Sequence, residues 1–230
     1  MVFKKILLLL IIQSFTYQLK AQKDTISLMI SVIEHASPLF ISDSGITLSN
    51  DSNIHISALK FYISKIQLLK EGKVVFDDKQ PAHLIDAAQQ STYQIYLTAK
   101  KNIAFDQVVF NLGIDSAINV AGVYGGALDP TKGMYWTWQS GFINFKIEGN
   151  YQYQKKNTAF AFHLGGYRYP DNALQKISMQ TDDKLIKIYL DISKVFEQID
   201  IMKVNHIMSP CQEAVQLSKI IADSFKIIGK

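Results

Sequence analysis

Between Thr25 and Ile192 the chain alternates apolar and polar residues in short runs, and no long helical pattern interrupts them. Thr25-Ile-Ser-Leu-Met-Ile-Ser-Val-Ile33 is the clearest case. Successive side chains of a strand point to opposite faces, so this alternation describes a strand with one buried face. Further strands are expected at Leu59–Leu69, Val74–Phe76, His83–Ile85, Tyr93–Leu97, Gln107–Leu112, Phe142–Ile147, Ala159–Leu164 and Leu185–Ile192. Turn-forming residues separate them: Glu71-Gly-Lys, Asp78-Lys-Gln-Pro81, Asp129-Pro-Thr-Lys-Gly133, Tyr169-Pro-Asp-Asn172 and Thr181-Asp-Asp183. Many short strands without interleaved helices bury their apolar faces by packing sheet on sheet. The pattern therefore predicts an all-β fold, an antiparallel β-sandwich.

A helix is expected only near the C-terminus. Ser209-Pro-Cys-Gln212 reads as an N-cap, a proline at the first helical position and a capping-box glutamine. Ala214, Leu217, Ile221, Phe225 and Ile228 then recur at helical spacing. A shorter helical piece is expected near Ser193–Gln198. The longest irregular stretch, Asp115–Gly133, carries Gly122, Gly125 and Gly126 and leads into the only two tryptophans.

The N-terminus reads as an export signal. Lys4 and Lys5 precede the apolar run Ile6–Ile12, and Leu19-Lys-Ala21 fits a small-residue cleavage site. Residues 1–21 are expected to be removed, leaving 22–230 as a single domain that is periplasmic or secreted. The apolar run is too short for a membrane anchor, and no cysteine near the cleavage site offers a lipid attachment. Loss of Lys4, Lys5 and Lys20 from 24 basic residues leaves 21 against 20 acidic ones. With Arg168 the single arginine and no basic cluster, nucleic acid is not an expected partner. Cys211 is the only cysteine, so the domain must hold without an internal disulfide; a buried, inert thiol is the favoured reading.

The five histidines are His35, His55, His83, His163 and His206, and none forms a tight ligand pair. A metal site would have to be assembled from distant strands. In Thr158-Ala-Phe-Ala-Phe-His-Leu164, the residues Phe160, Phe162 and Leu164 share one face, and Ala161 and His163 share the other. His163 is thus either a ligand or a structurally satisfied histidine. His35 closes the first strand and is either a rim ligand or a surface residue. His55, His83 and His206 read as surface or structural. Sequence patterns for a nucleophile elbow, a zinc-protease helix or a phosphate loop are missing, so a binding protein rather than an enzyme is expected.

Gly133-Met-Tyr-Trp-Thr-Trp-Gln-Ser-Gly-Phe142 holds Trp136 and Trp138, two residues apart. This segment resembles the signature of the MbnP-like family of periplasmic copper-binding proteins. Leu59-Lys-Phe-Tyr-Ile-Ser-Lys-Ile-Gln-Leu68, Phe110-Asn-Leu-Gly-Ile114 and Phe162-His-Leu-Gly-Gly166 are similar to other segments of that family, in the same order. The resemblance spans roughly residues 25 to 170 and implies an exported copper protein concerned with copper acquisition or homeostasis. It implies copper, as Cu(I) or Cu(II), held by His35, His163 and a tryptophan oxidised to kynurenine. That tryptophan is Trp136 or Trp138, with Trp138 preferred. It also implies a partner, an exported di-haem peroxidase that performs the oxidation. Where family members carry a cysteine after His-Leu-Gly, this chain has Gly165-Gly-Tyr-Arg168. The competing reading is a metal-free module that grips a glycan or a partner protein through Tyr135, Trp136, Trp138, Tyr167 and Tyr169.

Overall fold

A computed structural model describes residues 23–227, except 43, 50, 52, 123, 124 and 140. The expected signal peptide (1–21) and Ile228 lie outside the described residues. In chain order the strands are β1 (Lys23–Glu34), β2 (Ser37–Pro38), β3 (Ile46–Thr47), β4 (Ile54–Lys70), β5 (Lys73–Asp77), β6 (His83–Asp86), β7 (Gln94–Lys100) and β8 (Gln107–Leu112). They continue with β9 (Tyr135–Trp136), β10 (Gly141–Tyr153), β11 (Lys156–Gly165), β12 (Gln175–Gln180), β13 (Leu185–Asp191), β14 (His206–Ile207) and β15 (Phe225–Ile227). The α-helices are α1 (Ser116–Ala121), α2 (Ile192–Gln198) and α3 (Gln212–Asp223).

Among the described residues these strands form two sheets. The smaller runs β15-β13-β1, with β2 and β7 also paired to β1. The larger is organised by β4, whose seventeen residues reach from one end of the sandwich to the other. Ile63 pairs with both His83 of β6 and Leu112 of β8, and Lys60 with both Asp86 of β6 and Lys146 of β10. β10 and β8 therefore lie end to end along one side of β4, and β3, β6 and β5 along the other. β11 and β14 extend the sheet beyond β10, and β12 beyond β8.

Alternation sets what fills the space between the sheets. Ile26, Leu28, Ile30 and Val32 of β1 meet Phe61, Ile63, Ile66 and Leu68 of β4, Phe145 and Ile147 of β10, and Phe160, Phe162 and Leu164 of β11. Phe61 stacks on Phe145 at 5.7 Å, and Phe225 closes edge-on against Phe61 and Phe110. Each such side chain contributes about 1.5–3 kcal/mol when fully buried.

The sandwich is mostly antiparallel, as its alternation predicts, with two exceptions. β13 runs parallel to β1, and β14 runs parallel to β11. The first follows from the path: between β1 and β13 the chain builds most of the larger sheet before returning to lie beside its own start, and a parallel pair needs such a crossover.

The C-terminal helix also differs from its sequence reading. Its N-cap is Cys211, not Ser209. Gln212 is not a capping-box partner: its Nε2 donates to Pro170 O (3.0 Å) and Asp171 Oδ1 (2.9 Å). Phe225 belongs not to the helix but to β15, which pairs with β13. Cys211 is half-buried, and burial raises its thiol pKa.

A second, smaller core sits on the outer face of the larger sheet. It joins Tyr62, Ile114, Leu128, Met134, Trp136, Phe142 and Ile143. The segment read as a long irregular loop folds back over the sheet here, through α1 and two short 3-10 turns. Tyr62 Oη donates to Ala127 O (3.0 Å), and Ser64 Oγ donates to Gly113 O (2.6 Å). Asn119 Oδ1 accepts from the Phe142 amide at 3.0 Å, tying α1 to β10.

Candidate metal centre

His163 projects from β11 away from the inter-sheet core, because its neighbours Phe162 and Leu164 occupy that core. Register places it in a row across the outer face: Asp86 of β6, Lys60 of β4, Lys146 of β10 and His163 of β11. Two ion pairs tie the row, Lys60–Asp86 at 2.9 Å and Lys146–Glu148 at 3.1 Å. His163 is only 7 % exposed, and its Nε2 lies 2.6 Å from Glu148 Oε1.

The charge states here follow from the surroundings. Burial pushes the His163 imidazole below its ordinary pKa and outweighs the Glu148 hydrogen bond, which pulls it up. Burial alone would raise the Glu148 carboxyl, but hydrogen bonds from His163 and Lys146 prevail and hold it low. The pair is thus a neutral imidazole and a carboxylate. A carboxylate only accepts, so Nε2 carries the proton and Nδ1 keeps a lone pair. No hydrogen-bond partner for Nδ1 occurs among the described residues. A carboxylate that fixes the tautomer and leaves the other nitrogen open is the usual support of a metal-ligating histidine.

Trp136 covers the next position on this face. A side chain at Gly165, two residues beyond His163, would meet the Trp136 ring carbons at 2.7 and 2.8 Å. The indole's six-membered ring therefore occupies the space above Gly165, about 7 Å along β11 from His163. Trp136 is 5 % exposed, and its Nε1 is a buried donor with no partner among the described residues. Trp138 leans on it at 6.1 Å between centroids and a 48° tilt, and is itself 66 % exposed.

Tyr135 is half-buried and packs edge-on against Phe142 at 5.0 Å. Tyr167, also half-buried, carries the Arg168 guanidinium 5.2 Å above its ring. The five aromatics do not form one exposed face, because Trp136 is buried and Tyr135 points into the outer core.

His35 lies elsewhere. It follows β1 in the left-handed region (φ 55°) and sits exposed beside Ile54, at the start of β4. Its backbone amide donates to Asp191 Oδ1 and Ser193 Oγ, both at 3.1 Å. Ser193 Oγ spends its proton on Asp191, so it accepts from His35 Nδ1 at 3.2 Å and leaves Nε2 with the lone pair. Lys226 pairs with Asp191 at 2.7 Å; burial would raise that carboxyl, but Lys226 and Ser193 hold it low. His35 and His163 each offer an open nitrogen, but not to one ion. His163 is level with Lys60, roughly 15–20 Å along β4 from Ile54, and belongs to the other sheet. The ligand set His35, His163 and Trp138 is therefore not gathered in one place.

Among the described residues no three His, Cys, Asp or Glu side chains converge as a metal site. The donor set around His163 fits copper only as a centre of few ligands. It has one open imidazole nitrogen, and the indole packed against Gly165, two residues further along β11, has no lone pair to give. Sequence reasoning singled out His163 and both tryptophans as candidates. It missed Glu148 and Lys146, although Lys146-Ile-Glu148 places both on the side of β10 opposite Phe145 and Ile147.

No curated protein matches the chain. Among solved structures, MbnP from Methylosinus trichosporium shares the fold, with a TM-score of 0.51 at 13 % identity, over 82 % of this chain and 81 % of that one. The MbnP family model matches residues 23–211, from β1 through the Trp motif and His163 to the residue before α3, and the chain belongs to that family.

Proposed function

We propose that this chain is an exported copper-binding protein whose centre is built on His163. The observation that carries the reading is the buried His163–Glu148 hydrogen bond, which leaves Nδ1 open on the strand face where the Trp136 ring packs two residues further on, at Gly165. Copper accepts imidazole nitrogen readily, and Cu(I) is content with few donors. Trp136 is the tryptophan to be converted to kynurenine, in place of the exposed Trp138, because its ring is the one set against Gly165. The conversion cleaves the indole C2–C3 bond, adds oxygen at both carbons and releases C2 as formate. It frees an aniline nitrogen and a ketone oxygen, which an intact indole cannot offer.

The oxidant is peroxide, delivered by a di-haem peroxidase partner, with Trp138 as the surface ring beside the buried one. His35 stands outside this centre. The role is copper binding in the periplasm or outside the cell, without catalysis.

Copper content of purified protein tests the reading. His163→Ala should lose copper that the wild type retains through dialysis, while His35→Ala keeps it. Equal retention by wild type and His163→Ala would refute a centre built on His163.

A further inference from the structure

β14 brings a sulfur donor to the open side of His163. It pairs parallel to β11, with His206 level with Ala161 and Ile207 level with Phe162. Level residues share a face, so Ile207 turns into the inter-sheet core with Phe162, and both are buried there. The next residue, Met208, comes level with His163. The chain keeps to this path beyond it: a side chain at Gly166 would lie 2.9 Å from Pro210 Cβ, so Pro210 is still beside the end of β11. Met208 is thus held between two fixed neighbours, about 5 Å from His163 backbone to backbone. Alternation from the buried Ile207 turns its side chain to the outer face, where it is 45 % exposed.

The open nitrogen of His163 faces the same way. Glu148 belongs to β10, which flanks β11 on one side, and β14 flanks it on the other. The two nitrogens of an imidazole look in widely different directions. With Nε2 held by Glu148 at 2.6 Å, Nδ1 is turned away from β10, towards the strand that leads to Met208.

We infer that the Met208 thioether is a second ligand of the copper at His163 and selects Cu(I). The inference rests on the copper centre proposed above and names a donor that histidines and carboxylates do not supply. A thioether is soft, uncharged and has no proton to lose, and such sulfur favours Cu(I) over harder ions. Cys211 does not compete for this role, because it is half-buried and packs against the inter-sheet core at the start of α3. Met202 is exposed but belongs to the turn Asp200–Lys203, before β14.

Anaerobic titration of the mature chain with Cu(I) in competition with bicinchoninate tests the inference, together with X-ray absorption at the copper edge. The protein is produced without an oxidising partner, so that both tryptophans stay intact. The wild type should hold Cu(I) with sulfur in its coordination shell. Met208→Leu keeps the size of the side chain and should lose the sulfur signal. It should also weaken Cu(I) binding at least about tenfold, since even an outer-shell partner is worth that much. Its thermal unfolding should be unchanged, because the side chain is part-exposed. Met202→Leu should keep both the sulfur signal and the affinity. Wild-type affinity or a persisting sulfur signal in Met208→Leu, with binding lost in His163→Ala, overturns the assignment of Met208 and leaves the His163 centre standing. Equal binding by wild type and His163→Ala takes down the centre itself, and this inference with it.

Discussion

Gly165→Ala puts the packing of Trp136 onto the larger sheet to a direct test. A Cβ at this position would lie 2.6 Å from Phe142 O and 2.7 and 2.8 Å from two Trp136 ring carbons. Relaxed carbon contacts are about 3.5–4.0 Å, so the ring has to retreat by about 1 Å. The Phe142 carbonyl cannot retreat as easily, because the next residue, Ile143, pairs with Gly165 in the ladder. Forcing one carbon into a packed site of this kind costs about 1–3 kcal/mol. For a chain of this length each kcal/mol moves Tm by roughly 2–4 °C, so the expected loss is about 2–12 °C. Gly125→Ala is the control: its φ of −92° suits any residue, and no described residue lies within 4 Å of the added carbon. That variant should stay within about 0.5 kcal/mol of wild type. Urea unfolding followed by far-UV circular dichroism gives both stabilities, and near-UV circular dichroism reports the Trp136 environment. If Gly165→Ala is as stable as Gly125→Ala and its near-UV spectrum is unchanged, Trp136 does not lie where this account puts it.

Three further outcomes follow from the same contacts. Tyr62→Phe removes the buried hydroxyl that holds Ala127 O; it should cost about 1 kcal/mol in urea unfolding and speed proteolysis within residues 113–133, and unchanged cleavage there would contradict the anchoring role. Asp191→Ala strips Ser193, Lys226 and the His35 amide of their shared acceptor; because Lys226 is part-exposed and can rehydrate, the loss should be about 1–3 kcal/mol, and a neutral result would show that the network does not support the end of β1. The third concerns pH. Burial holds His163 below its ordinary pKa of 6.5, so the unfolded chain takes up this proton at higher pH than the folded one. The group's contribution is fully present above about pH 6.5 and is lost as pH falls through the lower folded value. Wild-type Tm should therefore drop more steeply on acidification than that of His163→Gln, and parallel curves would refute the assignment.

Strand positions were legible because one face of each strand is buried against the other sheet. Ile26, Leu28, Ile30 and Val32 alternate for that reason, and so do Phe160, Phe162 and Leu164. β12 escaped notice because its buried face is thin: in Gln175–Gln180 only Ile177 is fully buried. The turn joining β10 to β11 carries no glycine or asparagine, yet Gln154 and Lys155 both take positive φ, as a tight hairpin requires. Cross-strand register dictated that conformation, and local composition gave no sign of it. The outer core was hidden for a different reason. Leu128, Met134 and Trp136 are scattered through a glycine-containing stretch, and only the fold brings them over Tyr62 and Phe142.

The candidate site was half-visible in the same way. His163 stood out through its place opposite Phe160 and Phe162. Its fixed tautomer needs Glu148, fifteen residues away on the neighbouring strand, and that pairing comes from register alone. The resemblance grouped His35 with His163, and sequence does not tell which sheet each strand joins: β1 leads to His35 from the smaller sheet, and His163 lies in β11 of the larger one.

The most direct test of the proposed copper centre is peptide mass spectrometry with metal analysis on protein purified from its native host. The account predicts bound copper together with a Trp136 peptide that has gained one oxygen and lost one carbon, with Trp138 unmodified. Two intact tryptophans and no copper, even after loading with copper, would contradict it.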